Sequence, residues 1–426
     1  MQSICFAICL LLFLFSSFRK KIYDPAFIMY GIWSAILFFN LLGAYGINKA
    51  SSKAYYYVFI GLISFFIGII IQTIVCTDRI YFKIAQFTIN KEKEINYRLI
   101  YILSGIVLVL NLIDFLIAVS YLFKGMSYSQ IRSWKMEIFE DATNPISGRR
   151  SFLEQTFRVI FVEPFATALA PIAVIDFFKK GGKKSNLLVI TILNMVLGTI
   201  SGGGSRLGVI TLILMLTIVG AIYKEESKNI VKKMKKKIIV LIIAGIGSIV
   251  FFTSQRTRAS VFEESYYYIA LCIPLFDYWI PTIESGAHTN GMMILHGITR
   301  IPCMIFEKVG FGNGELYHLA RDYILSANSF RSVGARGANS FVTPFYYLYL
   351  DFGIFGIMLG MFLLGYSAEK YYKRICKDMK TQELFIYLLI LRGIIFTFIR
   401  WDFISTNYVL AYFFVVIFFK KKKSIL

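Results

Sequence analysis

Residues 186–222 read NLLVITILNMVLGTISGGGSRLGVITLILMLTIVGAI, two apolar runs separated by a short polar stretch that contains Arg206. Each run would form about 25 Å of helix, slightly short of the ~30 Å hydrocarbon core of a bilayer. The pattern predicts a membrane-embedded helical hairpin with its tip at the outer interface. The tip has the residues that a tight turn and a helix cap need, namely Gly202, Gly203, Gly204 and Ser205.

Similar apolar runs recur along the 426 residues, of which 57% are hydrophobic, against ~45–50% in soluble domains. They predict an all-α, polytopic integral membrane protein with about eleven transmembrane helices (roughly ten to twelve) in a single membrane-embedded domain, 1–426. The predicted helices are 2–18, 26–47, 54–76, 98–123, 157–178, 186–202, 206–223, 238–254, 341–368, 383–400 and 407–419.

The distribution of basic residues predicts the orientation of the chain. Lysine dominates one set of connections, including the C-terminal KKKKSIL, and the positive-inside rule makes that set cytoplasmic. We expect a multi-pass protein of the plasma (inner) membrane with its N-terminus outside and its C-terminus in the cytoplasm. The net charge of +21 then reflects topology, and nucleic-acid binding is not indicated. The first apolar run lacks a basic n-region, which favours a retained helix over a signal peptide.

The basic residues of the opposite face are mostly arginine. Arginine presents a planar fork of donors that matches phosphate and carboxylate groups, and topology opposes positive charge on that face. The pattern predicts an anionic ligand, most simply a phosphate or diphosphate. Pairing with local acids and lipid headgroups is the alternative. These arginines are Arg132, Arg149, Arg150, Arg158, Arg206, Arg256, Arg258, Arg300, Arg321, Arg331, Arg336 and Arg400.

The longest outer connection, 255–340, contains all three histidines of the chain: His288, His296 and His318. Its stretches 266–281 and 291–306 are apolar, but polar residues and prolines interrupt them. We expect interfacial or re-entrant helices over a cavity. The tyrosines and Trp279 suit sugar stacking, although an aromatic belt at the membrane interface explains them at least as well.

Charged residues within predicted helices usually face the bundle interior and mark functional sites. Asp351 and Arg392 fall at similar depth, so a pair between them is expected, either functional or purely structural. Glu163 lies near the outer surface, where the base of an outer-face reaction would be, and Pro164 after it is expected to kink the helix.

Four features resemble the oligosaccharide repeat unit polymerases, the Wzy-type O-antigen and capsule polymerases. They are the early YDPAFIMYGIWSAILFFNLLG, the SGGGSR hairpin, the long outer connection, and RGANSFVTPFYYLYLDFGIFGIMLGMFLLG at 336–365. The resemblance implies glycosyl transfer outside the plasma membrane, from a polyprenyl-diphosphate-linked glycan to a new lipid-linked repeat unit. The implied partners are that substrate, membrane lipids, and flippase and chain-length regulator proteins.

This chemistry needs cations for the leaving diphosphate and a base for the acceptor hydroxyl. No DxD motif is present and the cysteines are scattered, so no metal or cofactor is expected. The diphosphate contacts expected are Arg206, Arg256, Arg258 and Arg336, with Arg331 and Arg400 behind them. The candidate bases are Glu163, His296 and His318.

Two other functions remain open at this point. A flippase or exporter of an anionic lipid-linked oligosaccharide would also need arginines and intramembrane charges, but the internal repeats of many transporters are not seen. An O-antigen ligase-like transferase is less favoured, because the His-Asn pair of those ligases corresponds here to Ala338 and Asn339. We expect a supporting role for Asn339.

Overall fold

A computed structural model describes residues 1–19, 21–77, 93–126, 152–182, 186–201, 207–228, 232, 261–311, 314–335 and 337–421. The chain divides into two compact units, one formed by Met1–Lys91 with Ala259–Val409 (unit 1) and one by Glu92–Arg258 with Leu410–Leu426 (unit 2). The prediction of a single domain stays a prediction.

The described residues are predominantly helical. In chain order the helices are α1 (Gln2–Ser17), α2 (Pro25–Leu42), α3 (Ser52–Thr77), α4 (Tyr97–Phe123), α5 (Phe152–Phe157), α6 (Glu163–Lys179), α7 (Asn186–Ser201), α8 (Leu207–Ile222), α9 (Val261–Ala270), α10 (Cys272–Ser285), α11 (Met292–Lys308), α12 (Glu315–Asn328), α13 (Thr343–Lys377), α14 (Thr381–Ile395), α15 (Thr406–Ala411) and α16 (Phe414–Phe418). Two short antiparallel ribbons pair β1 (Lys93–Ile95) with β4 (Phe419–Lys421) and β2 (Arg331–Ser332) with β3 (Gly337–Ala338).

Within these residues, six helices are long and apolar enough to cross a membrane: Pro25–Leu42, Ser52–Val75, Tyr97–Phe123, Leu153–Lys179, Thr343–Lys377 and Thr381–Phe398. The chain is therefore an all-α membrane protein, as its apolar runs predict. The predicted helix 238–254 lies outside the described residues, and the count of about eleven spans stays a prediction.

Two predicted helix ends are wrong for local reasons. The second helix, expected to reach residue 47, ends at Leu42 because Gly43 adopts a left-handed conformation with φ of 55°, a common helix stop. The helix expected to end at residue 368 continues to Lys377, because a polar sequence of good helix formers extends it beyond its apolar stretch.

The start of α2 shows how unit 1 satisfies buried charges. Asp24 caps this helix by accepting hydrogen bonds from the backbone N–H groups of Ala26 and Phe27. Arg19, after α1, lies 2.9 Å from the Asp24 carboxylate and 2.6 Å from that of Glu369 in α13. Both carboxylates are fully buried, so one arginine neutralises charges from two helices.

Helices α3 and α13 pack with their backbones in close approach. A Cβ atom added to Gly68 would lie 2.2 Å from the Phe362 carbonyl oxygen, and one added to Gly365 would lie 2.2 Å from that of Phe65. Small residues at such contacts let two membrane helices gain van der Waals packing, since lipid supplies no hydrophobic drive for association.

Helix α13 is interrupted about one quarter of the way along. Phe352 has φ of −140°, and Gly353 has φ of 59° with ψ of −142°. The Gly353 conformation is essentially restricted to glycine. Such a break removes backbone bonds from the helix ladder, so carbonyl groups near residue 350 must find partners elsewhere.

In unit 2, α5 passes into α6 through a π-helical turn, Arg158–Val162. Pro164 follows at once. Proline has no N–H, and its ring excludes the carbonyl of residue 160 from the normal ladder, so the expected irregularity at Pro164 takes the form of a π turn.

Unit 2 also has a polar seam along α4. Asn111 donates to the Asn194 side chain of α7 at 3.1 Å. Three residues further on, the buried Asp114 accepts two hydrogen bonds from Arg158, at 2.8 and 3.2 Å. Arg158 also donates to Glu154 at 3.0 Å. The intramembrane charge of Asp114 is therefore paired within its own unit.

Candidate functional site

The outer segment predicted from sequence folds, from residue 261 onward, into the four helices α9 to α12, all in unit 1. None of the four is among the six long apolar helices. Helix α11 carries His296, and the short 3-10 turn Asp402–Ile404 packs against this helix. This contact brings together residues that lie more than a hundred positions apart in sequence.

His296 is buried, with 6% of its surface exposed. Its Nδ1 atom lies 3.1 Å from the carbonyl oxygen of Ile404. A carbonyl only accepts, so Nδ1 must hold the ring proton and the neutral ring has its lone pair on Nε2. Within the described residues, Nε2 makes no hydrogen bond. The ring stacks on Tyr317 of α12, with centroids 5.8 Å apart and planes 4° apart.

The surroundings of His296 keep its ring neutral. Burial lowers the pKa of His296 below its usual value of 6.5, and the positive charges of Arg300 and Arg321 lower this pKa further, against the hydrogen bond to Ile404. Desolvation and nearby like charge both disfavour the imidazolium form. His296 is therefore an unprotonated base at neutral pH, set beside two arginines.

Arg300 and Arg321 belong to the outer arginines predicted from sequence, but not to the predicted site residues. The signal was present, because Arg300 follows His296 by four positions and Arg321 follows Tyr317 by four. Residues four apart share one face of a helix. Each helix therefore carries an arginine on the same face as an aromatic ring. Only the packing of α11 on α12 brings the two faces together.

A second cationic group lies at the same 3-10 turn. Asp402 is buried, and its Oδ1 atom accepts a hydrogen bond from Arg400 Nε at 3.2 Å. Its Oδ2 atom lies 3.6 Å from Nη2 of Arg392, in α14. The Nη1 atom of Arg392 is buried and has no hydrogen-bond partner within the described residues. Two arginines thus share one carboxylate and leave net positive charge.

The predicted pair of Asp351 with Arg392 is wrong. Arg392 faces Asp402, whereas Asp351 accepts hydrogen bonds from Thr289 and from three backbone N–H groups at the start of α11. Their predicted common depth was the basis of the expected pair. The faces on which their side chains project could not be read from depth.

The other candidate bases lie elsewhere. His318 is half-buried and contacts Tyr317 edge to face, at 5.9 Å, so it belongs to the surroundings of His296. Glu163 is exposed and lies in unit 2, directly after the π turn. Of the three candidates, His296 is therefore the one that the described structure places, buried and neutral, beside arginines.

Arg331 and Asn339 take local positions in unit 1. The Arg331 guanidinium lies over the ring of Trp279, 5.2 Å from its centroid, and its Nε atom is buried without a partner in the described part of the chain. Asn339 donates to the Asn328 carbonyl oxygen at 3.0 Å, which satisfies a free carbonyl at the end of α12.

The remaining predicted site residues lie outside the described residues: Gly202, Gly203, Gly204, Ser205, Arg206, Arg256, Arg258 and Arg336. Where residues are described, no group of three or more His, Cys, Asp or Glu side chains could hold a metal ion.

Comparisons with known proteins add no assignment. No family model matches the chain, and neither a curated protein nor a solved structure matches it. What the fold defines is the class, an all-α membrane protein whose unit 1 contains a buried histidine beside several arginines.

Proposed function

We propose that this protein joins polyprenyl-diphosphate-linked oligosaccharide repeat units into a polysaccharide by glycosyl transfer at the outer face of the plasma membrane. One observation carries the proposal: His296, neutral and with an unbonded Nε2 in the described structure, has Arg300 and Arg321 beside it. Its Nδ1 bonds to the 3-10 turn whose Asp402 contacts two further arginines, Arg392 and Arg400. A base beside clustered cations is what transfer from a diphosphate donor to a hydroxyl requires.

In this reaction, the acceptor hydroxyl gives its proton to Nε2 of His296 as its oxygen bonds to the anomeric carbon of the donor. The bond from that carbon to the diphosphate oxygen breaks, and the electron pair leaves with the polyprenyl diphosphate. Arg400, held by Asp402, and Arg392 offset the charge that develops on this leaving group. The imidazolium then returns its proton to water.

The arginines outside the described residues stay predictions. Arg206, Arg256, Arg258 and Arg336 are expected diphosphate contacts that the described structure does not test, and within unit 1 Arg331 would support the site. The topology proposed is the one expected from the basic residues, with about eleven spans and α9 to α12 at the outer interface as interfacial or re-entrant helices.

The test uses purified full-length protein in lipid nanodiscs and a polyprenyl-diphosphate-linked repeat unit. We expect wild-type protein to give a ladder of glycan lengths, and His296→Gln to reduce the rate by at least about a hundredfold. The matched control is His288→Gln, since His288 is an exposed histidine of the same unit that also places Nδ1 on a backbone carbonyl. If His296→Gln lengthened the glycan at the wild-type rate, the assignment of His296 as the base would be overturned.

The polar seam of unit 2 favours a second candidate, transport of an anionic lipid-linked oligosaccharide. The Asp114–Arg158 pair and the Asn111–Asn194 contact place polar groups along a helix long enough to cross the membrane. Such groups often line transport pathways. Movement of the lipid-linked glycan across a vesicle membrane without any lengthening would favour the transporter over the polymerase.

A further inference from the structure

Residues just before the break in α13 accept hydrogen bonds from the chain segment that leads into α11. The Leu350 carbonyl oxygen, just before the break, accepts a hydrogen bond from the Thr289 N–H at 2.9 Å. The next residue, Asp351, is fully buried. Its Oδ1 atom accepts from the Thr289 hydroxyl and from the N–H groups of Gly291 and Met293, at 3.0 and 2.9 Å.

The second carboxylate oxygen of Asp351 completes this arrangement. Oδ2 accepts from the N–H of Ile294 at 2.7 Å. The first N–H groups of a helix have no partner within it, and the positive end of the helix dipole favours an anion there. A side chain from one helix thus caps another helix, and it does so from full burial, where no water competes for the same groups.

We propose that Asp351 is a positioning residue for His296. The N–H of Ile294 donates to Asp351, and Ile294 precedes His296 by two positions on the same helical turn. The Nδ1 atom of the His296 ring donates to the Ile404 carbonyl oxygen. The carboxylate sets where α11 begins, and the Ile404 carbonyl selects the Nδ1-protonated ring. Together they keep the lone pair on Nε2. The catalytic effect of this positioning rests on the proposed function, but the contacts of Asp351 and His296 do not depend on the reaction.

The groups around the ring are the ones that a test must consider. On α11 the charged neighbour is Arg300, and α12 contributes Tyr317 and Arg321. The 3-10 turn contributes the Ile404 carbonyl. Asp351→Asn changes none of these groups. It removes one acceptor oxygen and the negative charge at the start of α11.

The matched control is Asp24→Asn. Asp24 is also a fully buried carboxylate of unit 1 that caps a helix through two backbone N–H groups. Asp24→Asn weakens a similar buried helix cap, at the start of α2, and leaves the start of α11 unchanged. Thr289→Val is a milder change that removes only the hydroxyl bond to Asp351, so it keeps the inference testable if Asp351→Asn does not fold.

The experiment reads the tautomer of His296 in the full-length protein labelled with nitrogen-15 histidine. The chain has three histidines, so His288→Gln and His318→Gln identify the remaining signal by elimination. We expect His296 to be protonated at Nδ1 in wild type and in Asp24→Asn. In Asp351→Asn it should revert to the Nε2-protonated form that free imidazole side chains prefer, and Thr289→Val should show a partial change.

The same variants are compared in the polymerisation assay. We expect Asp351→Asn to lower kcat at least about tenfold with KM within about twofold, because a base misplaced by a fraction of an ångström affects the transition state more than binding. An unchanged His296 tautomer in Asp351→Asn and in Thr289→Val overturns the positioning role, whatever the activity. If the variants changed the tautomer but the wild-type protein made no polymer, the positioning role of Asp351 would be upheld and the proposed function rejected.

Discussion

Gly297 allows α11 to approach the 3-10 turn Asp402–Ile404 and the residues after it. A Cβ atom at Gly297 would lie 2.4 Å from the Phe403 carbonyl oxygen and 2.7 Å from Val409 Cγ2. Gly297→Ala therefore forces α11 and the turn apart by at least about 0.6 Å, since contacts between a Cβ atom and an oxygen below about 3 Å are not tolerated. Neither neighbour is the far end of a flexible side chain that could move aside.

This separation falls next to the hydrogen bond that fixes His296. Its length of 3.1 Å would grow to about 3.7 Å, beyond hydrogen-bonding range. We expect a loss of stability of about 1–3 kcal/mol, typical of overpacking, and a fall in polymerisation rate of about a hundredfold. Thermal unfolding of the purified protein measures the first effect, and the rate of glycan lengthening measures the second.

Gly105→Ala is the matched control. Gly105 lies in the interior of α4, and a Cβ atom there would meet nothing within 4 Å. Alanine is a better helix former, so this variant should be as stable as wild type or up to about 1 kcal/mol more stable. If Gly297→Ala behaved like Gly105→Ala in both assays, the close packing of α11 on the turn, and the site built on it, would be refuted.

Three further outcomes are expected. The pKa of His296 is lowered from 6.5, so the polymerisation rate should fall only as pH drops through the lowered value, which a pH–rate profile measures. The stability of the fold should fall already from pH 6.5 down to that value, because the unfolded chain takes up the proton first, which thermal unfolding at several pH values measures. Asp114→Asn leaves Arg158 with a buried, poorly compensated charge and should cost about 3–5 kcal/mol in thermal unfolding; an unchanged unfolding temperature would contradict the pairing. Gly365→Ala should destabilise the protein by about 1–3 kcal/mol, because its Cβ would contact the Phe65 carbonyl at 2.2 Å, and wild-type stability would show that these helices do not touch.

In the described part of the chain, several helices could be located from the apolar runs of the sequence. Apolar runs such as 98–123 coincide with an observed helix, Tyr97–Phe123, because a membrane requires each backbone polar group to be bonded within its own segment. Errors occurred where a local signal overrode hydrophobicity, as at Gly43, which ends α2. A left-handed glycine stops a helix even in an apolar sequence.

The candidate site was only partly predictable. The sequence predicts His296 and Arg400 as site residues, because their residue types and their predicted outer position suit the chemistry of a diphosphate donor. For Arg392 the sequence predicted the wrong partner, Asp351 in place of Asp402. Arg300 and Arg321 were not selected, because the relation between their helices is a tertiary contact.

The sequence by itself determined that this protein is helical and crosses a membrane, and it located charges along each helix. Counting residues gives depth, since a helix rises a fixed 1.5 Å per residue. The tertiary structure decided which face each charge occupies and what it meets. Asp351 caps α11 because α13 breaks beside it, and the ring proton of His296 lies on Nδ1 because α11 packs on the turn that carries the Ile404 carbonyl. Rotation and contact depend on packing between segments that lie far apart in the chain, which no single helix encodes.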